Sequence, residues 1–263
     1  MQKTKSIWGK YEGKPGRFFK FKGGFTEIQV KRFAGGWMFK ENRTETAHDT
    51  FSADISEEGE ALLEAQIYQT GRSEILFAQP ALPKKPVVFR NNKPMIVSPM
   101  QSIRLFLSVP VNIQFYFSQP KNENLMCEFS TFRLSDTWFG EPDGGEPAFS
   151  IGSRFALQGD QLQKEYYDAV CPVHIQNNSN QALDLQRLII HVENLNTYQK
   201  SNQLVTDLVT IEFKGQDMIS SLQFSTEKGL HGESPLLISK ARMATSKNIL
   251  GQSFHFIKNF TQF

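Results

Sequence analysis

Four carboxylates, Asp136, Glu141, Asp143 and Glu146, crowd one short Gly- and Pro-rich segment that also carries Trp138. Grouped acids of this kind can surround a hard cation with oxygen ligands, or divide into the acid and base of a hydrolase. The same residues also spell a turn, because in Glu141-Pro142-Asp143-Gly144 the proline presets φ and the glycine releases the chain at the exit. The spacing fits no EF-hand loop, and no histidine in the segment adds a second ligand type. A structural turn with solvated carboxylates is therefore the preferred reading. A metal-dependent hydrolase or a carbohydrate-binding module is the alternative.

A second set of residues is cationic. Lys20, Lys22, Lys31, Arg32 and Lys40 interleave with Phe18, Phe21, Phe33 and Trp37, a mixture that lets a sheet hold phosphates while stacking bases. Residues 1–40 hold ten lysines and arginines against Glu12 and Glu27, a surplus of eight positive charges. Residues 41–64 hold eight acids against Arg43, a deficit of seven. Neighbouring blocks of opposite sign can neutralise each other within a fold, so a nucleic-acid or anionic-surface binder ranks below a simple charged sheet face.

The remaining chemistry is sparse. The five histidines are scattered, with His174 and His191 in strand-like segments, and none forms His-x-His or His-Glu-x-x-His. Gly152-Ser153-Arg154 lacks the outer pattern of a nucleophile elbow, and no phosphate loop or dinucleotide fingerprint occurs. Cys127 and Cys171 suggest two buried thiols rather than a disulfide or a zinc site. No catalytic residue and no cofactor is expected, and binding is favoured over catalysis.

The elements that must carry these residues are mostly strands. A chain of 263 residues with 23 Phe can bury a large core, and its aromatic and β-branched runs suit pleated surfaces. The start reads as a meander, with Gly23-Gly24 and Gly35-Gly36 as hairpin turns. Phe19 and Phe21 then share one face and Lys20 and Lys22 the other. Residues 56–70 are ambiguous, since Leu63, Ala65 and Ile67 alternate as in a strand while the Ala, Leu and Glu content favours a helix; strand is preferred, followed by Glu74 to Ala78 and a connection marked by Pro80, Pro83 and Pro86.

The clearest periodicity runs from Ile103 to Phe117, apolar at every odd position, with Arg104, Ser108, Asn112 and Gln114 on the side expected to stay wet. Fully extended it would reach roughly 50 Å at about 3.3 Å per residue, so a bend or bulge is expected at Pro110. Pro110-Val111-Asn112-Ile113-Gln114 is echoed by Pro172-Val173-His174-Ile175-Gln176, a hint of duplicated halves. Near the end Phe254, Phe256, Ile257, Phe260 and Phe263 line an amphipathic stretch, read as a short helix whose Phe face is expected to pack on the protein's own sheet, with docking on a partner or a membrane surface as the alternative.

Together these features predict a mainly β protein of two tandem sandwich-like halves. The expected division is 1–130 and 131–245, closed by a C-terminal amphipathic helix over 246–263. No apolar run is long enough to span a bilayer and the N-terminus lacks an apolar core of signal type, so a cytoplasmic location is expected.

The motifs Trp138-Phe139-Gly140-Glu141-Pro142-Asp143-Gly144-Gly145 and Ala169-Val170-Cys171-Pro172-Val173-His174-Ile175-Gln176-Asn177-Asn178-Ser179, with Trp8 to Tyr11 at the start, carry a resemblance. The chain resembles the bacterial and archaeal family called domain of unknown function 432. That family has no established activity, so the resemblance transfers no catalytic residues. What it implies is an accessory protein whose partner is a membrane channel subunit of the small-conductance mechanosensitive type, met at the inner membrane.

Overall fold

The structure is a computed structural model that describes residues 7–57, 59, 61–91, 95–140, 142–152, 154–159, 162, 168–201, 203–215, 221–225 and 235–243. It is mainly β. In chain order the strands are β1 (Gly9–Glu12), β2 (Phe18–Phe33), β3 (Gly36–Ser56), β4 (Gln66–Gln69), β5 (Ile75–Ala81), β6 (Val87–Arg90), β7 (Ile96–Val97), β8 (Ser102–Pro110), β9 (Asn112–Phe117) and β10 (Leu125–Ser130). They continue as β11 (Ser135–Phe139), β12 (Glu146–Ser150), β13 (Phe155–Ala156), β14 (Asp168–Asn177), β15 (Leu183–Asp184), β16 (Arg187–Ile190), β17 (Thr197–Lys200), β18 (Gln203–Thr206), β19 (Leu208–Phe213), β20 (Ser221–Ser225) and β21 (Leu236–Ser239). The helical content of the described residues is two single turns, Asn122–Asn124 and Val192–Asn194. The predicted C-terminal helix over 246–263, with Phe254, Phe256, Ile257, Phe260 and Phe263, lies outside the described residues.

The chain divides into two compact units, each assembled from separated stretches. The first takes residues up to Ala81 together with Pro110–Arg133; the second takes Leu82–Val109 and most of the chain from Leu134 onward. The apolar run from Ile103 to Phe117 is therefore cut at Pro110 into two strands that serve different sheets. β8 lies between β13 and β14 in the largest sheet, and β9 lies between β5 and β10 in a four-stranded one. A proline donates no ladder hydrogen bond, so it suits the point where a strand leaves one sheet for another.

The even positions of β9 depart from the expected wet face. Asn112, Gln114 and Tyr116 are all buried. Their polarity is absorbed by a ladder in which Tyr116 donates to Gln114 at 2.6 Å, while Asn112 and Gln114 donate to Glu128 on β10 at 2.5 and 2.9 Å. Paired across strands, polar groups can be buried without leaving unmet hydrogen-bonding capacity.

In the first unit β2 and β3 form one long hairpin, turning at Ala34 and Gly35. Gly23-Gly24 is not a hairpin turn but an irregularity inside continuous β2, with register shifts on either side of Gly24. Gly24 has φ 55° and approaches the backbone of Thr131 so closely that an added Cβ would stand 2.1 Å from its carbonyl oxygen. The irregularity changes which residues face inward: Phe19 and Phe21 before it, Ile28 and Val30 after it, are all fully buried. They join Trp37, Phe39, Leu76, Ile113, Phe115 and Phe129 in one aromatic core. Leu63, Ala65 and Ile67 do not form one buried row: only Gln66–Gln69 is strand, and Leu63 and Ile67 are exposed.

In the second unit β14 runs parallel to β18 through Ala169 and Val170, then to β19 from Val173 to Asn177. The echo at Pro172 is thus no structural repeat of β9, whose neighbours β5 and β10 are both antiparallel. Asp207 sits between β18 and β19, buried, and accepts hydrogen bonds from the Asn196 backbone, the Asn196 amide and the Tyr198 hydroxyl, each at 2.8 Å.

Candidate functional site

The Asp136 to Glu146 segment is a β-hairpin. β11 and β12 pair from Ser135 with Ser150 to Phe139 with Glu146, and β11 ends the order β11-β12-β6-β16 among the described residues. Alternation divides the hairpin into two faces. Phe139 and Ala148 point inward and pack with Val88 and Ile189. Asp136 and Trp138 share the other face with their cross-strand partners Phe149 and Pro147. Trp138 is 47% exposed there. Lys85 pairs with Asp136 at 2.7 Å and lies over the Phe149 ring, 5.0 Å from its centroid.

The loop needs its first glycine. Gly140 has φ 111°, and a Cβ there would meet the Cα of Gly145 at 2.7 Å. Beyond it Asp143 is exposed at the tip, and Glu141 lies outside the described residues. The described carboxylates of the segment do not converge: Asp136 turns to Lys85, Asp143 to solvent and Glu146 to the interior. Among the described residues no group of three His, Cys, Asp or Glu side chains is placed to hold a metal ion.

Glu146 meets a residue that spacing could not connect to it. His191, directly after β16, is buried, with Nε2 3.3 Å from Glu146 Oε1 and Nδ1 3.0 Å from Glu193 Oε1. Glu193 is itself buried, in the Val192–Asn194 turn, and its backbone carbonyl accepts the N–H groups of Arg242 and Met243 at 2.9 and 3.2 Å. Burial alone would lower the imidazole pKa. The hydrogen bonds and charges of Glu146 and Glu193 outweigh that and raise it from 6.5 to about 9. Nδ1 is hydrogen-bonded to Glu193, whereas Nε2 is held near Glu146 by charge at ion-pair distance. Glu193 was missed in the sequence, where its one signal is the position two residues beyond His191.

The basic residues of the first unit are placed differently from one another. Lys20 and Lys22 are half-buried on the outer face of β2, and both turn to Glu27, at 3.4 and 4.0 Å. Lys31 donates to the Gly59 carbonyl at 3.4 Å, and Lys40 lies opposite Gln29. Arg32 is on the other face, 1% exposed, donating to the carbonyls of Gly36 and Gly71 at 2.7 and 3.0 Å with its guanidinium 5.4 Å from the Trp37 ring centroid. The acidic block largely becomes β3 itself, which puts Asp54 opposite Lys20.

The two thiols are unlike nucleophiles. Burial pushes Cys171 up to about 12 and Cys127 well above the ordinary thiol value.

Fold and site together define a mainly β protein of two units, with a hairpin that ends its sheet among the described residues and meets a partly buried ionic cluster at its loop end. The chain belongs to the family described as "Protein of unknown function (DUF432)", whose model matches residues 7–258. No curated protein and no solved structure matches it. No helix among the described residues is long and apolar enough to cross a membrane.

Proposed function

We propose that this chain is a non-catalytic binding protein that docks on a protein partner along the outer edge of the β11–β12 hairpin. One observation carries the reading: Trp138 stands 47% exposed on a strand that, among the described residues, ends its sheet. An edge strand offers backbone N–H and C=O groups to an extended segment of another chain. A tryptophan beside that edge supplies the kind of large, rigid anchor that dominates interface energetics. The proline at position 147 and the Lys85–Asp136 pair give the same face an apolar centre and a polar rim.

In this reading the two units are sandwich-like scaffolds and the protein is a cytoplasmic accessory subunit, brought to the inner membrane by its partner. A mechanosensitive channel subunit is the first partner to test, since the family resemblance implies it. The experiment is affinity capture with wild-type bait, Trp138→Ala bait and a chain ending at Ser246, followed by a measured Kd for the purified partner. One partner held by the wild type and the shortened chain, and bound about tenfold or more weakly by Trp138→Ala, supports the reading. Equal binding by Trp138→Ala refutes it. Loss only on shortening refutes it too, and moves docking to Phe254, Phe256, Ile257, Phe260 and Phe263.

A further inference from the structure

Among the described residues the backbone attaches the β11–β12 hairpin to its sheet at one end only. β12 pairs with β6 through Phe149 with Val87 and Ser150 with Val88, at the end away from the loop. Glu146, the first residue of β12, lies beyond that pairing, and what meets it there is His191. His191 in turn follows β16, which is antiparallel to β6 from Arg187 with Arg90 to Ile190 with Val87. The loop end of the hairpin is thus joined to the body of the unit by side chains, Phe139 packed on Val88 and Ile189 and, beside it, the Glu146–His191–Glu193 cluster.

The donor arithmetic of that cluster depends on one proton. A neutral imidazole has a single N–H, whereas an ionised carboxylate accepts only. Nδ1 is hydrogen-bonded to Glu193 at 3.0 Å and Nε2 lies within ion-pair distance of Glu146 at 3.3 Å, so the ring attracts both carboxylates at once only as the imidazolium. The charged groups at its two nitrogens are Glu146 from β12 and Glu193 from the Val192–Asn194 turn, and the neighbouring elements also carry Arg242, after β21, and Arg187, on β16. Arg242 is committed through its backbone N–H to the Glu193 carbonyl and through Nε to the Leu82 carbonyl. The Arg187 guanidinium lies over the Phe139 ring, 5.2 Å from its centroid. When the ring loses its proton, two carboxylates compete for one N–H in a buried site, and the more exposed of them, Glu146, is the one able to turn to water.

We propose that Glu146, His191 and Glu193 form a proton-operated latch that holds the loop end of the β11–β12 hairpin closed, and that deprotonation of His191 releases it. The hairpin that the latch governs carries Trp138, so alkalinisation repositions the edge assigned above to partner docking. That consequence rests on the docking reading, whereas the latch does not.

The test needs no partner. The His191 ring is titrated by NMR in the full chain, and amide protection factors are measured for 136–149 and for 187–190 at each pH, in the wild type and in Glu146→Gln. Expected is a wild-type midpoint near 9, with protection around Phe139 and Glu146 falling about tenfold as pH passes it and β16 holding. In Glu146→Gln the midpoint moves down toward 6.5 and the hairpin is already less protected at neutral pH. A wild-type midpoint at or below 6.5 overturns the latch, as does hairpin protection that stays flat while the ring titrates. Simultaneous loss of protection in β16 also overturns it, because the cluster would then hold the unit rather than the hairpin. Failure of the capture experiment with this titration intact would refute docking and leave the latch standing.

Discussion

Two hairpins in this protein are anchored by opposite physics. The β2–β3 hairpin has strands of 16 and 21 residues and buries an aromatic face in which Phe21 and Phe39 lie 4.9 and 5.3 Å from Phe115. Its outer-face charges meet within the same sheet, Lys20 and Lys22 with Glu27. The β11–β12 hairpin has strands of five residues, two apolar side chains in its small core and an ionic cluster at its loop end. Apolar burial holds irrespective of protons and nearly irrespective of salt. An imidazolium between carboxylates holds only while it is charged. The first hairpin is therefore permanent architecture and the second is conditional.

The largest effect should come from the permanent side. Phe115→Ala removes a fully buried ring touching Phe21, Phe39 and Phe129, and is expected to lower stability by about 3–5 kcal/mol in denaturant unfolding. A loss below about 1 kcal/mol would erase the contrast between the hairpins. Next is His191→Leu, which strands Glu146 and Glu193 beside an apolar group and should cost about 3 kcal/mol at neutral pH.

The wild type adds a pH signature to the same site. The folded pKa of His191 is raised above 6.5, so its contribution is complete below that pH and disappears as pH climbs to about 9. The difference is roughly 3 kcal/mol, and stability curves at pH 6 and pH 10 should show it in the wild type and not in His191→Leu. Smaller again is Gly140→Ala, which sets a Cβ 2.7 Å from Gly145 at φ 111° and should cost about 1–3 kcal/mol, read as lost protection in the hairpin. Least of all, Lys20→Ala and Lys22→Ala should each change stability by about 0.5 kcal/mol or less, and by less still in high salt. A large effect there would show that β2–β3 also depends on charge.

How much of this could be seen beforehand differs between the two regions. That Phe19 and Phe21 share one face, opposite Lys20 and Lys22, is legible because alternation is written residue by residue. That Gly23-Gly24 shifts the register inside one strand, rather than ending it, was not legible, since a Gly-Gly pair suits both and only the nearby Thr131 backbone decides between them. The same holds for Arg32, one of the five cationic residues singled out on the N-terminal strands but the only one of those five that is fully buried. At the candidate site Trp138, Asp143 and Glu146 stood out through their turn chemistry. By sequence His191 reads as a histidine in a strand-like segment, and Glu193 carries no signal beyond its place two residues after it.

Strand character, the inward and outward division of most strands, the break at Pro110 and the opposed charge blocks all follow from relations between residues a few positions apart. Such relations are set by covalent geometry and local sterics, which every copy of the pattern shares. The pairing of β12 with β6, the meeting of Glu146 with His191 and the assembly of each unit from separated stretches arise only when distant strands choose their neighbours. That choice is the sum of many weak, non-directional apolar contacts, and no short stretch of sequence contains it.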